Sequence, residues 1–463
     1  MVTILVENAR FLITMDPERR IFRDGAIAVE NGLIADVGKT EVLKRDYEHP
    51  DIRIDARRKV VTPGLIDAHC HITEQMLRGL TDGVFAPSAV PRHWLYESSL
   101  NSEEAFLASK ACLIESIRCG TTHIMDPGGY HLDEAVKAVE EMGMRAILSR
   151  SLIDIHTGVQ PVPEALREST EKALAAGDEF VTKYNGYSGG RIKAWFSLRT
   201  ERSTTSELGH AVKELADKRG VGVISHIAAS HYWTDFHKEI FDGLTPIQRY
   251  EKAGILGPNL LAIGVNWATD EEIEMLRKHD VKVVHTPTNA RLALGSLQTG
   301  RLIELIKRGI TVCLGHDGAG ESNSGDMVRA MYLTAVGHRD VALDPTVMTN
   351  EMVLEMATVK AARALNSEGE VGSLEPGKRA DLVVWDATRV DWVPVLNPIS
   401  NLVQSASGNS AETVIIDGKV VMQDQKILTA DEKDILAKVE DAAKDLTERS
   451  GLSKYAASKW PMI

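Results

Sequence analysis

Two histidines, His69 and His71, stand two residues apart in "VTPGLIDAHCHITEQMLRG", at the end of an apolar stretch. Residues i and i+2 of a β-strand project to the same face, so both imidazoles can enter one space. Two neutral imidazoles converging there suit zinc, iron(II) or another divalent transition ion. Three later residues take matching positions. His226 ends "VGVISH", His285 ends "KVVH" and Asp317 ends "ITVCLGHD". Taken singly, each reads as a loop histidine with a local hydrogen bond or as an aspartate capping a helix. Together they mark a set of strand ends, which is where parallel barrels gather catalytic groups.

The elements that must place these residues follow from hydrophobic pattern. Between about 61 and 371, short apolar runs ("RAILSRSLI", "IKAWFSLRT", "LLAIGVN") alternate with amphipathic segments such as "TTSELGHAVKELADKRG". Near-continuous apolar strands separated by helices indicate a parallel sheet covered by helices. About eight such units suit an α/β fold of the (β/α)8 TIM-barrel type. An open doubly wound sheet is the alternative, and no glycine-rich nucleotide fingerprint supports it. Residues 1–60 read as short strands, with Asn31-Gly32 as a hairpin turn, and the texture returns in 372–428 around Pro-Gly and Asp-Gly turns. A smaller β-sandwich domain built from both termini is therefore expected, followed by a charged helix and tail over 429–463.

The chain has 463 residues and a formal net charge of -13, which argues against nucleic acid or an anionic membrane surface as partner. No apolar run approaches the roughly 20 residues of a membrane-spanning helix, and no secretory signal pattern opens the sequence. Cys70, Cys112, Cys119 and Cys313 lack any C-x-x-C spacing, which suits a reducing cytoplasm. The expectation is a cytoplasmic enzyme acting on a small molecule, as a homo-oligomer.

The motifs "VTPGLIDAHCH", "HTPTNARLALG", "LGHDGAGESNSGDM" and "GSLEPGKRADLVVWD" together resemble the amidohydrolase superfamily, in the branch of cytosine and guanine deaminases and triazine hydrolases. The resemblance covers nearly the whole chain. It implies His69, His71, His226 and Asp317 as ligands of one divalent metal ion, zinc first, with cobalt, iron or manganese as other occupants. That branch usually carries His-x-x-Glu on strand five, where this chain has His226-Ile227-Ala228-Ala229. Its strand-six histidine is matched here to Ile263. Neither alanine nor isoleucine moves protons.

The remaining candidates for proton transfer are Asp317 as base, His285 as oxyanion stabiliser or acid, and His231, with His237 beside it, on the loop over the barrel mouth. Arg199, Arg202, Trp94, Trp233 and Asn289 are expected to contact substrate, with Tyr96, Tyr232 and Phe236 as further aromatics. A site poor in acids favours good leaving groups. The first reading is thus hydrolysis of a carbamate, thiocarbamate, phenylurea or amide carbonyl, with a similarity to molinate and phenylurea hydrolases. The alternative is an aminohydrolase or dechlorinase of a nitrogen heterocycle, and a third reading is a metal-retaining, non-catalytic ligand-binding barrel.

Overall fold

The computed structural model describes residues 2–84, 86–156, 162–292, 294–457 and 460. Eight parallel strands form the barrel: β1 (Leu65–Asp67), β2 (Thr121–Met125), β3 (Arg145–Leu152), β4 (Ile192–Thr200), β5 (Val223–Ile227), β6 (Leu260–Gly264), β7 (Lys282–His285) and β8 (Val312–Leu314). Each pairs with the next in sequence order. Every residue of β2, β6 and β7 is buried, as strands covered on both faces require. Between β8 and β1 the ring is closed by Ala68 N–H donating to the Leu314 carbonyl and Asp317 N–H donating to the His69 carbonyl, both at 2.9 Å. Gly315 permits that approach, since a Cβ there would lie 2.6 Å from the Cβ of His69.

The covering helices follow their sequence signals. Leu132–Met142 buries Leu132, Ala135, Val136, Val139 and Met142, one stripe at helical spacing. Asn101 and Glu104 form a capping box that starts Ser102–Arg118, and Thr269 and Glu272 form another that starts Asp270–Lys278. Helix Ala86–Ser99 lies over the barrel mouth and brings His93 and Trp94 to the cavity there. No helix among the described residues is long and apolar enough to cross a membrane.

The chain ends build a separate nine-stranded sheet, as their texture indicates. Its strands come from Thr3–Ile13 through Val60–Pro63 and from Leu382–Trp385 through Lys426–Ile427. Val60–Pro63 runs past the expected boundary at residue 60 and pairs antiparallel with Leu382–Trp385. Asn31 and Gly32 both have positive φ, 53° and 84°, the geometry a two-residue hairpin needs. The sheet has its own core, with Ile4, Val6, Leu12, Ile27 and Leu382 fully or almost fully buried. The C-terminal helix Glu432–Arg449 packs on Ser102–Arg118, joined by Arg118 to Glu432 at 2.9 Å and Arg449 to Glu104 at 2.8 Å. Residues 458, 459 and 461–463 of the expected tail lie outside the described residues.

Barrel and sheet meet at a buried ion pair. Arg145, the first residue of β3, donates to both oxygens of Asp381 at 2.8 and 3.1 Å and to Asp417 at 3.3 Å. Removing one partner strands the other charge in the interior, so Arg145→Met should lower the unfolding free energy by about 3–5 kcal/mol. Chemical denaturation measures this, and a loss below about 1 kcal/mol would show that the junction does not depend on the pair.

Candidate metal centre

The stops of three barrel strands supply the centre. β1 runs out into His69 and His71, β5 presents His226 near its end, and Asp317 follows β8 with φ +75°. The three imidazoles converge. Their ring centroids are 4.9, 5.0 and 5.7 Å apart, and one nitrogen from each lies within 4.8 Å of the others. Asp317 Oδ1 is 3.1 Å from His69 Nε2 and 3.6 Å from His71 Nε2. His226 Nδ1 donates to the Arg199 carbonyl at 2.7 Å, which leaves its Nε2 lone pair for the centre. Burial, with His69 next, pushes His226 down to about 3, and the same causes hold His71 well below the usual histidine range. Neutral convergent imidazoles beside a carboxylate are the donor set that a divalent transition metal takes.

The residues expected to touch substrate divide. Trp94, Trp233, Arg199, Arg202 and Asn289 all line one cavity with His71, His226 and Asp317. Arg202 lies over the Trp233 ring at 4.0 Å. Arg199 is held by Glu97 at 2.7 Å and Glu74 at 3.7 Å, so its charge is already compensated by protein carboxylates. Tyr96 is buried away from the cavity and donates to the Thr73 carbonyl at 2.7 Å.

His285 and His231 do not fall where a proton donor is needed. The His285 ring is buried against helix Met327–Ala342, its Nε2 3.1 Å from His338 Nε2, and it does not line the cavity. Burial, then His338, keeps it well below the usual histidine range. His231 begins helix His231–Ile240 with a side chain 65% exposed, paired with Asp235 at 3.1 Å and set edge-on to Trp267. His237 faces inward, its Nε2 accepting from Arg249 at 3.0 Å. The strand-six position also shifts by one. Ile263 belongs to the core, whereas Gly264 is the residue against Ala229, and a Cβ on it would lie 2.7 Å from the alanine's Cβ. Glycine and alanine, lacking any titratable group, thus face each other where two proton-handling side chains were expected.

Four charged side chains beside the centre were not singled out from sequence: Glu74, His93, Glu97 and Glu321. Glu74 Oε1 is 3.5 Å from His71 Nδ1, and His93 Nε2 is 2.5 Å from Glu321 Oε1 and 3.9 Å from Glu74 Oε2. Burial lowers His93, but Glu321 and Glu74 outweigh it and hold the imidazole at about 10, charged. Burial, with Glu321 adding to it, raises Glu74 well above the carboxylate range. The spacing was the available signal, since Glu74 is three residues after His71 and Glu321 four after Asp317.

A parallel barrel with three imidazoles and an aspartate at its C-terminal mouth has the make-up of a metal-dependent hydrolase. The chain belongs to the amidohydrolase family, whose pattern matches residues 60–421. It is 33% identical over 452 residues to a 5'-deoxyadenosine deaminase of Methanosarcina mazei, covering 97% of this chain and 99% of that protein. An adenosine deaminase from Xanthomonas campestris with bound zinc superposes with TM-score 0.88 at 24% identity, over 96% of this chain and 99% of the other. Atrazine chlorohydrolase from Arthrobacter aurescens, complexed with zinc, gives TM-score 0.85 at 23% identity, over 95% and 100%. The protein is thus a hydrolase of the amidohydrolase superfamily.

Two measurements follow. His226→Ala should lower the bound metal per chain, read by elemental analysis, while His285→Ala should leave it unchanged; the reverse result would reassign the ligand. Stability should also peak near neutral pH. Burial holds His237 and His338 near 4 against an ordinary value of 6.5, so below pH 6.5 the unfolded chain binds protons that the folded one refuses. Stability is therefore lost from pH 6.5 towards 4. The carboxylates that face His316 and His93 outweigh burial and raise them to about 9 and 10, so their contribution is full below pH 6.5 and lost as pH rises through those values. Thermal melting from pH 4 to 10 tests this, and a flat profile would contradict it.

Proposed function

We propose that the protein is a metal-dependent aminohydrolase that replaces the amino group of a nitrogen heterocycle with oxygen, acting on an adenosine-like substrate. The observation that carries this reading is the end-to-end 33% identity to a 5'-deoxyadenosine deaminase, on a chain whose convergent imidazoles and aspartate fit a metal. The cavity walls agree with a planar substrate. Trp94 and Trp233 add aromatic rings to the lining, and the buried Oδ1 of Asn289 has no partner among the described residues and can accept from a ring or amine N–H.

One divalent ion, with zinc the first choice, would be held by His69, His71, His226 and Asp317 and would lower the pKa of a bound water towards about 7. Asp317 would add a carboxylate beside that water. A second reading, hydrolysis of a carbamate, thiocarbamate, phenylurea or amide, is favoured by one observation: Ala229 and Gly264 bring no acid to their corner of the site.

The two separate by product. Metal-replete protein given 5'-deoxyadenosine should release ammonia in step with the change in purine absorbance. Release of amine or thiol from the carbonyl compounds, with no ammonia from any aminopurine, would establish the second reading and end the first. Asp317→Asn should reduce turnover by at least about 100-fold on either.

A further inference from the structure

If the aminohydrolase reading holds, a proton must travel from the attacking water to the departing amine, yet strand five offers only Ala229 for that work. The cavity has a carboxylate elsewhere. Glu321 sits on the short helix Ala319–Ser322, four residues after Asp317, and lines the same cavity as His71, His226 and Ala229. Its Oε1 is held by His93 at 2.5 Å, while its Oε2 is buried and has no hydrogen-bond partner among the described residues. That oxygen lies close to Gly318, the residue that follows Asp317. A Cβ built on Gly318 would be 2.6 Å from Glu321 Oε2, 2.7 Å from Glu74 Oε2 and 3.1 Å from the Cβ of His71.

We propose that Glu321, positioned by His93, is the proton shuttle of this site and has taken over, from the strand-eight side, the task that Ala229 cannot perform. The step balances without any further reactant. The water oxygen bonds to the ring carbon as the ring C=N π pair moves onto the ring nitrogen, and one water proton passes to Glu321 Oε2. That proton is then delivered to the amino nitrogen as the carbon–nitrogen bond breaks. Ammonia leaves with the bonding pair, the ring C=N bond re-forms, and the second water proton moves from the new hydroxyl to the ring nitrogen to give the carbonyl product.

Three features of the surroundings suit this role. Burial alone would raise the Glu321 carboxyl, but the His93 imidazolium outweighs it and keeps the group ionised and able to accept. His93 is itself fixed, since its Nδ1 lies 3.0 Å from the Ala89 carbonyl, so Oε1 is anchored and Oε2 is left to move the proton. The backbone of Glu321 is tied as well, with its carbonyl accepting from Arg291 Nε at 2.8 Å. His93 is a positioning residue in this scheme. Glu321 is the catalytic one.

A shuttle matters in proportion to how much help the leaving group needs, and that dependence is the test. Wild type and Glu321→Gln are compared on a 6-aminopurine nucleoside and its 6-chloro analogue, because chloride departs without a proton. The expected result is a fall in kcat of about 100- to 10,000-fold on the amine and less than about 10-fold on the chloride, with metal content unchanged. Glu321→Asp should restore part of the amine turnover, and so should Ala229→Glu placed in the Glu321→Gln background.

Equal losses on both substrates would mean that Glu321 is only the counter-ion of His93 and would overturn the proposal. If Glu321→Gln does not fold, His93→Gln/Glu321→Gln removes both charges together and is read in the same way. Wild-type turnover of the purines decides the aminohydrolase reading separately. Should it be absent, the same ratio is read on a phenylurea, whose aniline needs a proton, and a thiocarbamate, whose thiolate does not. A variant that spares the phenylurea, or a wild type that turns over neither pair, overturns the shuttle.

Discussion

The site depends on one buried carboxylate, that of Asp67. At the end of β1, its Oδ1 accepts from the backbone N–H of His69 at 3.2 Å and from that of His316 at 3.1 Å, and its Oδ2 pairs with the His316 ring. One side chain therefore binds the first barrel strand to the last, at the level where both stop being strands. His69, His71 and Asp317 come from chain segments about 250 residues apart, and their mutual geometry follows from this closure rather than from the metal. The His316 ring is engaged by Asp67, and its work is to hold the seam.

Around that seam the charges are arranged in pairs rather than dispersed. Arg199 compensates Glu97 and Glu74, and His93 compensates Glu321. Buried charges persist only when paired and hydrogen-bonded, and here the pairing also sets which groups are protonated. Glu74 is held towards its neutral form by burial and its acidic neighbour, while Glu321 is held ionised by His93. Two carboxyl groups whose environments push them in opposite directions are the arrangement from which enzymes draw an acid and a base within one small space.

The fold was legible because its signals are local. Strand-length apolar runs, amphipathic helices and Asn-Gly or Asp-Gly turns each act over a few residues, and they mark out both the barrel and the sheet of the two termini. The residues drawn to the centre were legible for the same reason, since a polar residue at the stop of an apolar strand is a local pattern. The failures were failures of direction. His285 occupies such a stop, but its ring turns to His338 on a helix some fifty residues further on, and His231 leaves the barrel on an exposed helical turn. Nor does a motif matched by resemblance fix a position to within one residue, which is why Ile263 stood where Gly264 belongs. Glu74 and Glu321 were hidden because a glutamate on a short helix usually faces water, and their burial against His93 and Arg199 comes from segments distant in sequence.

The sheet shared by the two ends of the chain has a consequence for how the molecule comes into being. Val60–Pro63 finds its antiparallel partner in Leu382–Trp385, so the entire barrel is a loop that this one pairing closes. The entropy of closing a loop grows only with the logarithm of its length, so the equilibrium cost is modest, but the order of events is constrained. On a chain emerging from synthesis, Val60–Pro63 can pair at once with Thr3–Ile13, but its other edge must wait until more than 300 further residues have appeared. The barrel, whose strands pair in sequence order, can form meanwhile. Its closure at Asp67 then brings the two halves of the sheet together, so the same seam that shapes the site also serves as the template on which the sheet is completed.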